Sequence, residues 1–131
     1  MSQCCCGDGK KNVLLYACSG GANVAEISDR AARRLMMSGK GQMFCLAGLG
    51  AGIENMIQQA RDADLNVVID GCPIDCAGKI FDRCGITNYV RIRVTDLGIQ
   101  KAKGVPCTEE QIEKVVARVN EVLAAASGGA K

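Results

Sequence analysis

Two rhythms of apolar residues alternate along this chain. Val13-Leu14-Leu15 is a short unbroken apolar run, the pattern of a strand covered on both faces. After the turn Cys18-Ser-Gly-Gly-Ala-Asn23, the spacing changes to Val24, Ile27, Ala31 and Leu35, one face of a helix. Arg30, Arg33 and Arg34 fall largely elsewhere on that helix, and Ser38-Gly39-Lys40-Gly41 ends it. The alternation then repeats. A second strand is predicted at Gln42–Leu46, and after Gly48-Leu-Gly-Ala-Gly52 a helix carries Ile53, Met56, Ile57 and Ala60. A third strand at Asn66–Ile69 stops at Asp70-Gly71. A short helix from about Ile74 to Cys84 then places Ala77, Ile80, Phe81 and Cys84 on one face. In the fourth strand, Tyr89–Val94, Val90, Ile92 and Val94 alternate with Arg91 and Arg93, as at a sheet edge with one wetter face. Residues 95–107 read as a loop. Thr108 and Gln111 form a capping-box pattern before Ile112, Val115, Val116, Val119, Val122 and Leu123, the clearest helical stripe in the chain.

Alternating strands and helices predict an α/β fold with three layers: a four-stranded, mostly parallel sheet with helices on both faces, in the flavodoxin-like strand order 2-1-3-4. The expected organisation is a flexible cysteine-rich tail at 1–11, a single domain at 12–126, and a frayed end at 127–131.

Composition narrows the function. The chain has 131 residues, 48% of them hydrophobic, with two Phe, two Tyr and no Trp, so an aliphatic core is expected. A net charge of +2 and few aromatics argue against nucleic acid as a partner. No apolar run approaches a membrane span and the start, MSQCCCGDGKK, lacks the apolar segment of a secretion signal; no membrane association and a cytoplasmic location are expected. Nine cysteines in such a chain point to metal or redox chemistry rather than a disulfide frame, and the absence of His leaves thiolates as the soft ligands.

The predicted strand order then acts on the cysteines. Cys18 follows the first strand, Cys45 the second, and Cys72 and Cys76 the third. In a parallel sheet the strand carboxyl ends share one edge, and the order 2-1-3 makes these strands neighbours at the switch point where α/β sheets take ligands. Four thiols from three segments therefore meet at one crevice, with helix N-termini expected to favour their anionic form. Such a set suits Zn²⁺, and the Cys72-x₃-Cys76 spacing lies in the range of zinc pairs. The same count suits an iron–sulfur cluster. A cysteine-dependent redox or sulfur-transfer enzyme, with Cys72 or Cys76 as nucleophile, is the catalytic alternative. Asp70 is read as a ligand, an acceptor behind the ligands, or a turn residue. Asp96 would orient the crevice or cap a loop, and Ser19 and Asn23 would bind an anion or cap a helix. Lys79 is a candidate to offset thiolate charge. Cys84 and Met36, Met37, Met43 and Met56 are assigned to the core, Cys107 to a loop near a helix cap, and Cys4, Cys5 and Cys6 to an exposed tail. Nucleotide readings of the glycine clusters fail: Ile53 stands where G-x-G-x-x-G needs its last glycine, and no P-loop is present. A phosphatase reading fails because no Arg follows Cys18 before Arg30.

DGCPIDC (Asp70–Cys76), ACSGGANVAEISDRAARRL (Ala17–Leu35), FCLAGLGAG (Phe44–Gly52) and VTDLGI (Val94–Ile99) together resemble the DGC-domain family, from Asn12 to the last helix. The family is named for the tripeptide at Asp70-Gly71-Cys72. Its shared cysteines, proposed to bind zinc, fall here on Cys18, Cys45, Cys72 and Cys76. The resemblance implies a metal ion as partner; it implies no particular reaction and no protein partner.

Overall fold

The buried aliphatic runs assemble at the centre of the molecule. A computed structural model of the chain describes residues 11–129; residues 1–10, which hold most of the expected tail, and residues 130 and 131 lie outside the described residues. Strands β1 (Val13–Ala17), β2 (Gln42–Met43), β3 (Leu65–Asp70) and β4 (Tyr89–Arg93) form one sheet in the order β2-β1-β3-β4. Every pairing is parallel, with Leu15 beside Val67 and Val67 beside Val90. The order is the one predicted, and β4 is an edge strand.

Side chains alternate across this sheet and define two layers of core. Leu15, Val67, Ile69 and Ile92 face helices α1 (Asn23–Met37) and α5 (Glu109–Gly129), meeting Ile27, Leu35, Ile112, Val115 and Val119. Leu14, Tyr16 and Val68 face the other way, towards α2 (Leu46–Gly50), α3 (Glu54–Asp62) and α4 (Cys76–Arg83). The first layer is aliphatic, as composition predicts. The second is not: the four aromatic residues of the chain line up there, Phe44 against Tyr16, Tyr16 edge-on to Phe81 at 4.8 Å, and Phe81 against Tyr89 at 5.0 Å. Tyr16 is fully buried because its hydroxyl donates to Asn66 Oδ1 at 3.0 Å, and the Asn66 amide in turn donates to the carbonyls of Ala60 and Asn88. Burial pushes the Tyr16 phenol well above its ordinary range.

The structure corrects three local expectations. β2 is only two residues long: Phe44 N still donates to Leu15 O at 2.8 Å, but Cys45 then starts a helical turn. The glycines expected as a loop supply that turn, α2, because Gly48 lies under Met56: a Cβ there would meet the Met56 sulfur at 2.0 Å. Met37 is 80% exposed rather than core, since it lies four positions after the exposed Arg33, on the outer face of α1. The capping box is present as predicted. Thr108 N donates to Gln111 Oε1 at 3.0 Å, and Gln111 N to Thr108 Oγ1 at 3.2 Å.

Candidate functional site: thiols at the carboxyl edge of the sheet

The tripeptide Asp70-Gly71-Cys72 ends β3, and each of its residues has a separate physical role. Asp70 is 1% exposed. Its carboxylate accepts from Ala77 N at 2.8 Å and Gly78 N at 2.9 Å, so it caps α4 from the neighbouring strand. Burial pushes this carboxyl above the usual carboxylate range, and the two amides pull against that. Gly71 passes over the first turn of α1, where a Cβ would lie 2.9 Å from Val24 Cγ2 and 3.1 Å from the Val24 carbonyl group. Its N–H donates to Cys18 Sγ at 3.2 Å. Cys72 is half-buried against the α1–α5 layer, and Lys101 Nζ donates to its sulfur at 3.5 Å.

The loop onward from Cys72 closes as a tight turn. Asp75 N donates to Cys72 O, and Lys79 N to Asp75 O, so the loop feeds directly into α4. Asp75 adopts φ 56°, ψ 47°, the left-handed conformation that carries a steric cost for a residue with a Cβ. Arg93 compensates with two bonds to its carboxylate, at 2.9 and 2.6 Å, and Arg91 stands 3.8 Å away. The Arg93 guanidinium holds the Asp75 carboxyl below its ordinary range. Arg91 reaches this region by lying flat over Gly78, where a Cβ would meet its guanidinium at 2.6 Å. Cys76 then opens α4 and is exposed.

Cys18 and Cys45 stand on the adjoining strand ends. Cys18 N continues the β1–β3 ladder by donating to Ile69 O at 3.1 Å. Its thiol is half-buried, and Ser28 Oγ lies 3.8 Å from the sulfur. Burial pushes the Cys18 thiol up, the Gly71 N–H pulls it down, and the nearby charges of Asp70 and Cys76 push it up again. Cys45 is exposed and caps α2, its sulfur accepting from Gly48 N at 3.3 Å. Cys18, Cys45, Cys72 and Cys76 are all free thiols. Among the described residues no three or more His, Cys, Asp or Glu side chains stand together as a ready metal shell.

Helix N-termini play a smaller part than the sequence suggests. α1 begins five positions after Cys18, and neither the Cys18 nor the Cys72 sulfur sits at a helix start. A loop amide from Gly71 faces the Cys18 sulfur, and the ammonium of Lys101 faces that of Cys72. Lys101 was invisible in the sequence because it lies 29 positions from its sulfur, in a loop with no motif. Lys79 lies close enough to act on Asp75. Asn23 is a clip: its side chain donates to Gln100 O and accepts from Ala102 N, tying the start of α1 to the loop that carries Lys101. Ser19 is exposed in the turn, and Asp96 is exposed and bonded to Arg93. Cys84 packs at the end of α4 and donates to Leu49 O, as a core thiol should. Cys107 packs against the α1–α5 layer, where burial and then Glu26 push its thiol up. Cys4, Cys5 and Cys6 lie outside the described residues.

The chain is a parallel α/β domain with free cysteines along the carboxyl edge of its sheet. The chain belongs to the DGC-domain family, whose model matches residues 14–119. It is 28% identical over 110 residues to the anaerobic and virulence modulator AnvM of Pseudomonas aeruginosa strain PAO1, which covers 84% of each chain. No solved structure matches it. No helix among the described residues is long and apolar enough to cross a membrane.

Proposed function

We propose that this chain is a metal-binding protein that takes Zn²⁺ on Cys18, Cys45, Cys72 and Cys76. One observation carries the reading. Cys18, Cys45 and Cys72 follow the ends of three adjacent strands, Cys76 opens the helix after the third, and the first three sulfurs already face a donor: Gly71 N for Cys18, Gly48 N for Cys45 and Lys101 Nζ for Cys72. Four thiolates around a divalent ion leave an excess of negative charge, and such N–H and ammonium groups offset it. The donor set suits a soft ion by type. The four thiols do not stand together as a shell: Cys72 and Cys18 are half-buried, Cys45 and Cys76 are exposed, and binding would require those two to turn inward. A bound zinc ion would cross-link three strand ends at the switch point, closing the sheet edge or carrying metal to another site.

An iron–sulfur cluster is served by the same thiols, and the visible absorption of anaerobically purified protein separates the two. Replacing Cys72 or Cys76 by Ser is expected to abolish retention of zinc through desalting. Full zinc content in both variants would remove these residues from the ligand set.

The catalytic reading, redox or sulfur-transfer chemistry, is favoured by one contact, that of Lys101 with Cys72. It predicts one fast-reacting thiol in untreated protein, where a zinc site predicts thiols that resist alkylation until a chelator is added.

A further inference from the structure

The chain holds eight arginines, all within the described residues. Six of them, Arg30, Arg33, Arg34, Arg91, Arg93 and Arg118, are ion-paired with a carboxylate. Arg61 and Arg83 have no carboxylate partner among the described residues, and these two line the same cleft. The cleft is formed by α2, α3 and α4, on the side of the sheet opposite α1 and α5. It holds about 330 Å³, within the range of small-molecule sites. Leu49 and Ile57, both buried, and the half-buried Ile80 give it an apolar wall. Arg61 is fixed at its rim: Nη2 donates to Cys84 O at 2.8 Å, the carbonyl of the residue next to Arg83. That bond leaves the other N–H groups of the Arg61 guanidinium to a ligand. Two guanidinium groups stand against one carboxylate in the lining, that of Glu54, so the cleft carries an excess of one positive charge. Each arginine also sits in the last turn of its own helix, where a cation complements the helix dipole. The dipole accounts for an arginine on each helix. It does not account for the two sharing an apolar-walled cleft without a counter-ion.

We infer that this cleft binds a small organic monoanion, a carboxylate carried on an apolar body. The carboxylate accepts from the guanidinium groups of Arg61 and Arg83, whose planar forks suit its two oxygens. The apolar body packs against Ile80, Ile57 and Leu49. Glu54 sets the charge of the ligand: one negative charge is balanced by the excess of the lining, and a second meets a like charge. The inference rests on the α2–α4 layer and does not require the metal site.

The probes are isocaproate, its uncharged amide, acetate and inorganic phosphate. Each is titrated into the isotope-labelled full chain, and backbone amide shifts are followed by NMR. Isocaproate is expected to give saturating shifts at Gly50 and Gly52, which line the cleft. Acetate lacks the apolar body, the amide lacks the charge and phosphate carries too much of it, so all three should bind more weakly. High salt should weaken isocaproate binding. Arg83→Gln should weaken it about tenfold, while Lys114→Gln, on exposed α5 surface, should leave it unchanged. Arg83 is exposed, so its replacement does not disturb the core, and an unchanged unfolding midpoint verifies this. Arg61→Gln should weaken binding too, but Arg61 also holds the end of α4, so the Arg83 variant decides. Shifts that never saturate, acetate, amide or phosphate binding as tightly as isocaproate, or unchanged affinity in Arg83→Gln would each overturn the inference.

Discussion

Gly71 illustrates how little freedom the strand end leaves. The tripeptide reads as a signature, but each letter answers a different constraint: Asp70 satisfies two amides of α4, Gly71 lets the chain cross α1, and Cys72 meets Lys101. Because the atoms a Cβ would strike at Gly71 include the backbone of Val24, no rotamer change relieves the clash. Gly71→Ala is therefore expected to destabilise the protein by about 1–3 kcal/mol, seen as a lower urea midpoint with an unchanged slope. An unaltered midpoint would show that α1 can yield. Gly78→Ala should be milder, since the atoms it displaces belong to the end of the Arg91 side chain. None of this was legible from the residue types. The sequence marks Asp70 as a turn residue or ligand, and only the return of α4 over β3 turns it into a cap.

Among elements, those with a long apolar period were legible and those set by distant contacts were not. β1, β3, α1 and α5 follow their patterns closely because their buried faces alone specify them. α2 was hidden by its glycines: Gly48 makes room for Met56, and only Gly52, at φ 76° just beyond the helix, serves a turn. The carboxyl-edge placement of Cys18, Cys45, Cys72 and Cys76 followed from strand order. The donors that face their sulfurs did not, because Gly71 and Lys101 reach them across 53 and 29 positions. The capping box allows a test at this scale. Thr108→Ala removes the side-chain acceptor for Gln111 N and should cost about 1 kcal/mol. Gln111→Ala, which removes the reciprocal bond to Thr108 N, should cost less than the sum of the two when combined, because the pair acts as one cap. Strict additivity in thermal unfolding would contradict that coupling.

For the whole molecule, the sheet edge joins one carrier of thiols to two rigid layers. The α1–α5 layer supports Cys72 and, through Val24 and Ser28, the surroundings of Cys18, while the opposite layer supports Cys45 and the start of α4. A metal bound across these ends would couple the two layers, so zinc should raise the unfolding temperature and its removal by chelator should lower it, in proportion to the affinity and free metal present. Zinc content of anaerobically purified, untagged protein, measured with a count of reactive thiols, tests the central claim most directly. The account predicts about one zinc per chain and four of the nine thiols protected until chelator is added. Protein without metal, with all nine thiols freely titratable, would contradict it.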